Sequence, residues 1–176
     1  MRVIAPRRLI EAFTEWGLHE WNGRLQRPTL GLSDPEAVLT GINTAGWYRS
    51  PLIARILIAG PQEHCVRVEI PFEEAEMLHI ADGRRLAIWT DAILADQTAD
   101  GEFVRALVAK DDAAVGPLVC TARAGEGGIR PPLVIFDGWH RAATWVAHDR
   151  RGLSYPIVAD LILTNEVPPL LGDLQP

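Results

Sequence analysis

The clearest pattern of apolar and polar positions lies between residues 100 and 164. Leu133-Val134-Ile135-Phe136 is an unbroken apolar run bounded by turn residues, which is typical of a buried strand. Apolar residues then recur at helical spacing, and Gly152 follows as a stop signal. The elements predicted in this part are, in order, a helix carrying Phe103, Leu107 and Val108, a strand at 117–121, a loop at 125–132, a strand at 133–136, a helix at 139–151 and a strand at 155–163.

The first 98 residues show a different pattern, in which helix signals dominate. Asp34-Pro35-Glu36 and Ser50-Pro51 each combine a capping residue with a proline suited to the first helical turn. Residues 66–70 alternate apolar and charged side chains, which predicts one strand. Residues 72–96 are predicted to be mainly helical, with an interruption at Asp82-Gly83.

These patterns together predict an α+β fold, with an α/β-type core at approximately residues 100–164 and a mainly helical N-terminal part at approximately 1–98. A chain of 176 residues, 48% of them apolar, suits a single domain over 1–176. No stretch predicts a membrane span, and the N-terminus does not resemble a signal peptide. Cys65 and Cys120 lie in apolar, strand-like surroundings without metal-ligand spacing, so we expect reduced core cysteines in a cytoplasmic protein.

Charge limits the nucleic-acid partners that the chain can take. The formal net charge is −6, so the surface as a whole does not attract polyanions. All but one of the 17 basic residues are arginine, which suits bidentate phosphate contacts, although a GC-rich genome would also favour arginine codons. We predict that any DNA binding is weak and independent of sequence. The candidate DNA contacts are Arg84, Arg85, Arg123, Arg130 and Arg141.

The turn between the buried strand and the next helix carries the strongest chemical signal. The first amides of a helix have no intrahelical partner and attract anions, and Gly138 lets a ligand approach the backbone closely. An indole ring, two cationic side chains and a hydroxyl follow the glycine along the helix. Asp137 can cap the helix, orient Arg141 or hold a divalent cation. The pattern predicts a phosphate-binding site formed by Gly138, Trp139, His140, Arg141 and Thr144.

Residues 132–143, Pro-Leu-Val-Ile-Phe-Asp-Gly-Trp-His-Arg-Ala-Ala, resemble a motif of the ParB/sulfiredoxin superfamily. In that superfamily an apolar strand runs into Asp/Gly-Gly-x-His/Arg-Arg and then into an alanine-rich helix, and the order of elements over roughly 100–164 is similar too. The resemblance implies a nucleotide ligand such as ATP, a divalent cation such as Mg²⁺, and hydrolysis of phosphoanhydride or phosphodiester bonds. The hypothesis that follows gives catalytic roles to Asp137, His140 and Arg141, with Asp137 or an upstream glutamate as the metal ligand. Near the end of the strand predicted at 66–70, Glu73 is the glutamate chosen from Glu69, Glu73 and Glu74, which are candidates for a metal ligand or a general base.

Two departures narrow the resemblance. Position 139 is tryptophan where sulfiredoxin has its cysteine nucleophile, so thiol chemistry is not expected. Few residues follow the last predicted strand, whereas partition proteins continue into a helix-turn-helix domain. In size and architecture the chain is similar to the oncogenic-suppression and fertility-inhibition proteins of conjugative plasmids. That similarity implies an ATPase or DNase acting in plasmid competition, which inhibits the transfer of conjugative DNA or effectors and has a component of a conjugative transfer system as its partner.

Simpler interpretations stand beside these. The aspartate, histidine and arginine of the turn can form a capped helix start with a surface ion pair. Arg84 and Arg85 follow Asp82-Gly83 in a sequence like that of the turn, but without an evident preceding apolar strand, which favours a solvated turn between helices. Glu73 can lie on a solvated face. At the level of function, the alternatives are a non-catalytic protein-binding inhibitor or adaptor, and a small-molecule kinase of the same fold.

Overall fold

A computed structural model describes residues 1–8, 11–12, 15, 65–110, 117–125 and 128–164. The chain divides into two compact units, one of Met1–Pro6 with Val66–Pro176 and the other of Arg7–Cys65. The described elements are, in chain order, β1 (Arg2–Arg7), β2 (Cys65–Ile70), a 3₁₀ helix (Phe72–Met77), β3 (Leu78–Ile80), α1 (Leu86–Ala95), α2 (Ala99–Ala109), β4 (Leu118–Gly125), β5 (Gly128–Asp137), α3 (Trp139–Arg150) and β6 (Ile157–Thr164).

The six strands form one mixed sheet in the order β1-β2-β6-β4-β5-β3. Strands β4 and β5 form an antiparallel hairpin, whereas β3 runs parallel to β5 and β6 runs parallel to β4. Ile80 at the end of β3 is the register partner of Ile135, and Val119 near the start of β4 is the partner of Asp137. The ends of β3 and β5 and the start of β4 therefore meet at one edge of the sheet, and the turn into α3 lies at that edge.

The core of the first unit lies between the sheet and the three α-helices, which also contact one another. On β4, the side chains of Leu118, Cys120 and Ala122 point into this core, because alternate residues of a strand face the same side. Trp145 of α3 is fully buried there, and its Nε1 donates a hydrogen bond of 2.6 Å to the carbonyl oxygen of Tyr155. Residues 142–148 of α3 are all buried, so this helix packs closely in the core next to the turn.

The predicted α+β class is confirmed by this mixed sheet and its helices. The apolar run at 133–136 is buried within β5, as the pattern predicts. The predicted loop at 125–132 is wrong, because β4 and β5 extend into it as a hairpin. The hairpin shifts register between Thr121 and Arg123, opposite Pro131-Pro132, where the chain has no backbone N–H to donate.

In the N-terminal part, the predicted strand at 66–70 is confirmed as β2, but β1 and β3 are strands that the sequence pattern does not predict. The side chains of β1 are mostly exposed, so no apolar alternation marks it. The expected helix over 72–96 is instead a 3₁₀ helix, a strand and α1. A three-residue strand is too short to show a period of two, which explains the error.

Strand β3 also corrects the interpretation of Asp82-Gly83. Leu78 and Ile80 are buried, so an apolar strand does precede this turn, and α1 follows it. The helices predicted to begin at Asp34 and Ser50 lie outside the described residues. In the part of the chain that the structure describes, no helix is long and apolar enough to cross a membrane.

Candidate functional site

Gly138 joins β5 to α3 in a left-handed backbone conformation, with φ at 94°. A side chain is strained at such a φ, and a Cβ atom here would lie 2.6 Å from Leu118 Cδ2 and 3.0 Å from Arg141 Nη2. Both the sharp turn and the close packing therefore require glycine. The first hydrogen bond of α3 runs from the amide of Ala142 to the oxygen of Gly138 over 2.9 Å, so the amides of residues 139 to 141 lie ahead of the helical ladder.

Arg141 folds back over this turn. Its Nη2 donates a hydrogen bond of 3.1 Å to Asp137 Oδ2, and the two side chains are only 18% and 8% exposed. Of the three roles open to Asp137 in the sequence, the structure shows that it orients Arg141. A guanidinium carries five N–H donors, and the bond to Asp137 uses one of them. A held arginine beside the positive end of a helix is an arrangement that suits an anion.

His140 points towards α2 and α1. Its Nε2 lies 3.4 Å from Asp100 Oδ1, and its ring centre lies 5.4 Å from that of Phe103 and 6.2 Å from that of Trp89. The structure thus places a carboxylate beside one of the two cationic donors predicted for the site. Asp100 is mostly exposed, so water screens its charge. A phosphate at the turn would nevertheless compete with this carboxylate for His140.

The side chains of Trp139 and Thr144, which the sequence predicts to bind the phosphate, are both hydrogen-bonded within the protein. The Trp139 Nε1 donates a hydrogen bond of 2.8 Å to the carbonyl oxygen of Ile135, and its ring meets that of Trp89 edge to face. The hydroxyl of Thr144 is buried and donates to the carbonyl oxygen of His140 over 2.8 Å. Both side chains therefore use their polar hydrogen within the protein, and Arg141 is the cation that lies over the turn.

The two candidate metal ligands occupy different surroundings. Asp137 is buried and bonded to Arg141, whereas Glu73 is exposed on the 3₁₀ helix. Among the described residues, no group of three or more His, Cys, Asp or Glu side chains could hold a metal ion. Mg²⁺ needs one or two carboxylates besides phosphate oxygens. Because Asp137 is already paired with Arg141, the described residues do not form a protein-held Mg²⁺ site.

Glu73 lines a cavity of about 400 Å³, a size typical of small-molecule pockets. The cavity lies where β2 ends and the segment before β6 passes, and its lining does not include residues 137–141. The lining residues are Met1, Arg2, Glu69, Pro71, Phe72, Glu73, Ser154, Tyr155 and Pro156. Glu73 therefore lines a cavity that is separate from the turn between β5 and α3.

Apart from Arg141, the predicted DNA-contacting arginines fall into two pairs. Arg123 and Arg130 are exposed register partners on the β4–β5 hairpin. Arg84 and Arg85 are exposed on the turn after β3, where the Arg84 Nε donates a hydrogen bond of 2.7 Å to Asp82. Arg130 and Asp137 are seven residues apart on β5, about 23 Å along an extended strand, so the hairpin pair lies far from the turn.

Cys65 and Cys120 are both buried and reduced, as the sequence predicts. Burial raises the pKa of the Cys120 thiol well above its ordinary value, and the nearby carboxylates of Asp160 and Asp137 raise it further. A thiol with a raised pKa carries little thiolate, which is the reactive form. Cys120 is therefore a core residue whose raised pKa disfavours the thiolate.

Sequence reasoning missed two side chains beside the turn, Asp100 and Phe103. The pattern placed Phe103 on the core stripe of its helix, but Gly101 and Val104 are the residues of α2 that are fully buried. The Phe103 ring is instead 51% exposed next to His140. No local signal marks either residue, because both reach the turn through the packing of α2 on α3.

The described part of the chain is thus an α+β unit with a glycine-capped helix and a held arginine at one edge of its sheet. No protein-family model, curated protein or solved structure matches this chain.

Proposed function

We propose that this protein binds a nucleotide through its phosphates at the turn between β5 and α3. The observation that carries the proposal is the position of Arg141. Its guanidinium lies over Gly138, where glycine leaves room, and beside the amides that begin α3. A phosphate there would meet backbone donors, a fixed cation and the positive end of the helix dipole.

The pair with Asp137 favours this proposal energetically. An arginine that is already held loses little side-chain freedom when a ligand binds. Most of its conformational entropy is lost on folding and therefore does not weaken ligand binding. Arg141 is also partly buried, which strengthens its attraction for an anion relative to a fully solvated arginine. These features distinguish Arg141 from the exposed arginines elsewhere in the described chain.

The proposed reaction is hydrolysis of a phosphoanhydride or phosphodiester bond, that is, an ATPase or DNase activity. Arg141 and His140 would stabilise the charge that develops on the phosphate, and Asp137 would keep Arg141 in position. The resemblance of residues 132–143 to the ParB/sulfiredoxin motif, and of the whole chain to fertility-inhibition proteins, supports a role in plasmid competition. That role would be the inhibition of conjugative DNA or effector transfer.

A second candidate is a non-catalytic inhibitor or adaptor in which the nucleotide is a regulatory ligand. The observation in its favour is that the Asp137 carboxylate is buried and its Oδ2 accepts a hydrogen bond from Arg141, which does not suit a general base. The net charge of −6 also favours a protein partner over a polyanion. A small-molecule kinase of the same fold is the remaining alternative.

Calorimetric titration of the full chain with ATP and Mg²⁺ tests the site. Arg141→Ala is expected to weaken binding by about 1.5–3 kcal/mol, the cost of a lost charged hydrogen bond. Arg150→Ala is the matched control, because this arginine lies at the other end of the same helix, paired with Asp91. Arg141→Lys retains the charge and shows whether a folding defect causes the loss. Equal binding by the wild type and Arg141→Ala rules the site out.

Turnover of radiolabelled ATP by the same proteins then separates the two candidates. An enzyme releases phosphate, and Arg141→Ala slows the release. Binding without any release at saturating ATP supports the inhibitor or adaptor instead.

A further inference from the structure

Phe103 is a half-exposed aromatic side chain that contacts His140 at the start of α3. Its ring is 51% exposed on α2, and it stands at 86° to the ring of His140 with centres 5.4 Å apart. A single exposed phenylalanine is unremarkable on a protein surface. Here the position matters, because His140 is the second residue of the helix whose amides would bind phosphate.

The sequence predicts that the indole ring of Trp139 stacks on a base, but this ring is less exposed than that of Phe103. Trp139 is half-buried, with its Nε1 bonded to Ile135 and its ring packed against Trp89. The indole ring therefore packs between α1 and α3. Phe103 contacts His140 from another helix, and its side chain is the more exposed of the two rings.

We infer that Phe103 is the platform on which the base of the bound nucleotide stacks, an inference that rests on the proposed function. The base would lie on Phe103 and the phosphates at Gly138 to Arg141, with His140 between the two positions. Stacking accepts every base, because each base has a π face. The ligand class is therefore a nucleoside polyphosphate, bound with little preference among bases, rather than a bare phosphate or a sugar phosphate.

Paired titrations with ATP and inorganic triphosphate test this inference on the full chain. We expect Phe103→Ala to weaken ATP binding about tenfold and to leave triphosphate binding unchanged, since stacking on an aromatic ring typically contributes about that much per base. Phe103→Trp should retain ATP affinity, because it restores a flat ring. Leu153→Ala is the control, since Leu153 is an exposed apolar residue beyond the opposite end of α3.

The outcomes are distinguishable. If the wild type binds neither ATP nor triphosphate, the proposed function fails and the inference fails with it. If the wild type binds both and Phe103→Ala changes neither affinity, or weakens both equally, the phosphate site stands and the stacking platform is wrong. If Phe103→Ala weakens only the binding of a single-stranded oligonucleotide, the ring belongs to a nucleic-acid surface, which also overturns the inference.

Discussion

Two buried aspartates lie in one row across the sheet, each matched by an arginine. Asp137 of β5 and Asp160 of β6 are both register partners of Val119. Arg67 holds Asp160 with two hydrogen bonds, from Nε to Oδ1 at 2.9 Å and from Nη2 to Oδ2 at 2.7 Å. Arg141 holds Asp137 with one described bond. The bidentate pair is a structural contact, whereas the single bond leaves a guanidinium with donors for a ligand.

Replacing Arg67 should therefore damage stability rather than binding. Arg67→Ala removes the bidentate partner of a carboxylate that is 2% exposed, and breaking such a pair costs about 3–5 kcal/mol. Urea unfolding of the variant and the wild type measures the loss. Arg2→Ala is the matched control, because Arg2 is exposed and its pair with Glu69 is expected to contribute about 1 kcal/mol or less.

The double variant Arg67→Met with Asp160→Leu removes both charges and should recover much of the loss, since no buried charge is then left unpaired. If Arg67→Ala costs no more than Arg2→Ala, the carboxylate of Asp160 finds other partners and the pair is not a structural requirement.

At the scale of elements, the sequence predicts those that bury one apolar face or a continuous apolar run. Strand β5 and helix α3 are of this kind, so the turn between them could be placed from sequence alone. Strand β1 is mostly exposed and β3 has three residues, so neither produces a periodic signal. Asp100 and Phe103, which the sequence pattern did not place beside the turn, belong to α2. Sequence spacing within one element cannot show which residue of another element it meets.

The β4–β5 hairpin carries a like-charge pair that a reversal of charge should relieve. Arg123 and Arg130 are directly opposite and exposed, and like charges in that position destabilise a sheet. Arg130→Glu converts the repulsion into an attraction and should stabilise the protein by roughly 0.2–1 kcal/mol at low salt. Urea unfolding at two ionic strengths measures the gain, which added salt should reduce because both side chains are solvated.

Arg130→Gln serves as the control for that variant, since it removes the repulsion without adding an attraction and should give a smaller gain. A loss of stability in Arg130→Glu would mean that Arg130 makes a favourable contact with another part of the chain. A gain in the stability of Arg130→Glu would show that the like-charge pair does not stabilise the fold. That result would favour a role for Arg123 and Arg130 in binding an anion such as DNA.

At the scale of the whole molecule, the net charge of −6 and the separation of the arginines both limit DNA binding. The hairpin pair lies far along β5 from the turn, and Arg84 is bonded to Asp82. A contact through two to four phosphates gives a slope of about −2 to −4 for log affinity against log salt on duplex DNA. We therefore predict weak binding, independent of sequence, with a slope in that range.

Fluorescence anisotropy with labelled duplexes of unrelated sequence, titrated at several salt concentrations, measures this slope. The double variant Arg123→Ala with Arg130→Ala should make it shallower by about 2, one unit for each lost phosphate contact, whereas Arg2→Ala should leave it unchanged. Tight binding to one sequence would contradict the prediction, because it requires side chains that contact base edges. Absence of binding to both duplex and single-stranded DNA would remove the DNase from the proposed function, and nucleotide hydrolysis or partner inhibition would then be the functions left to test.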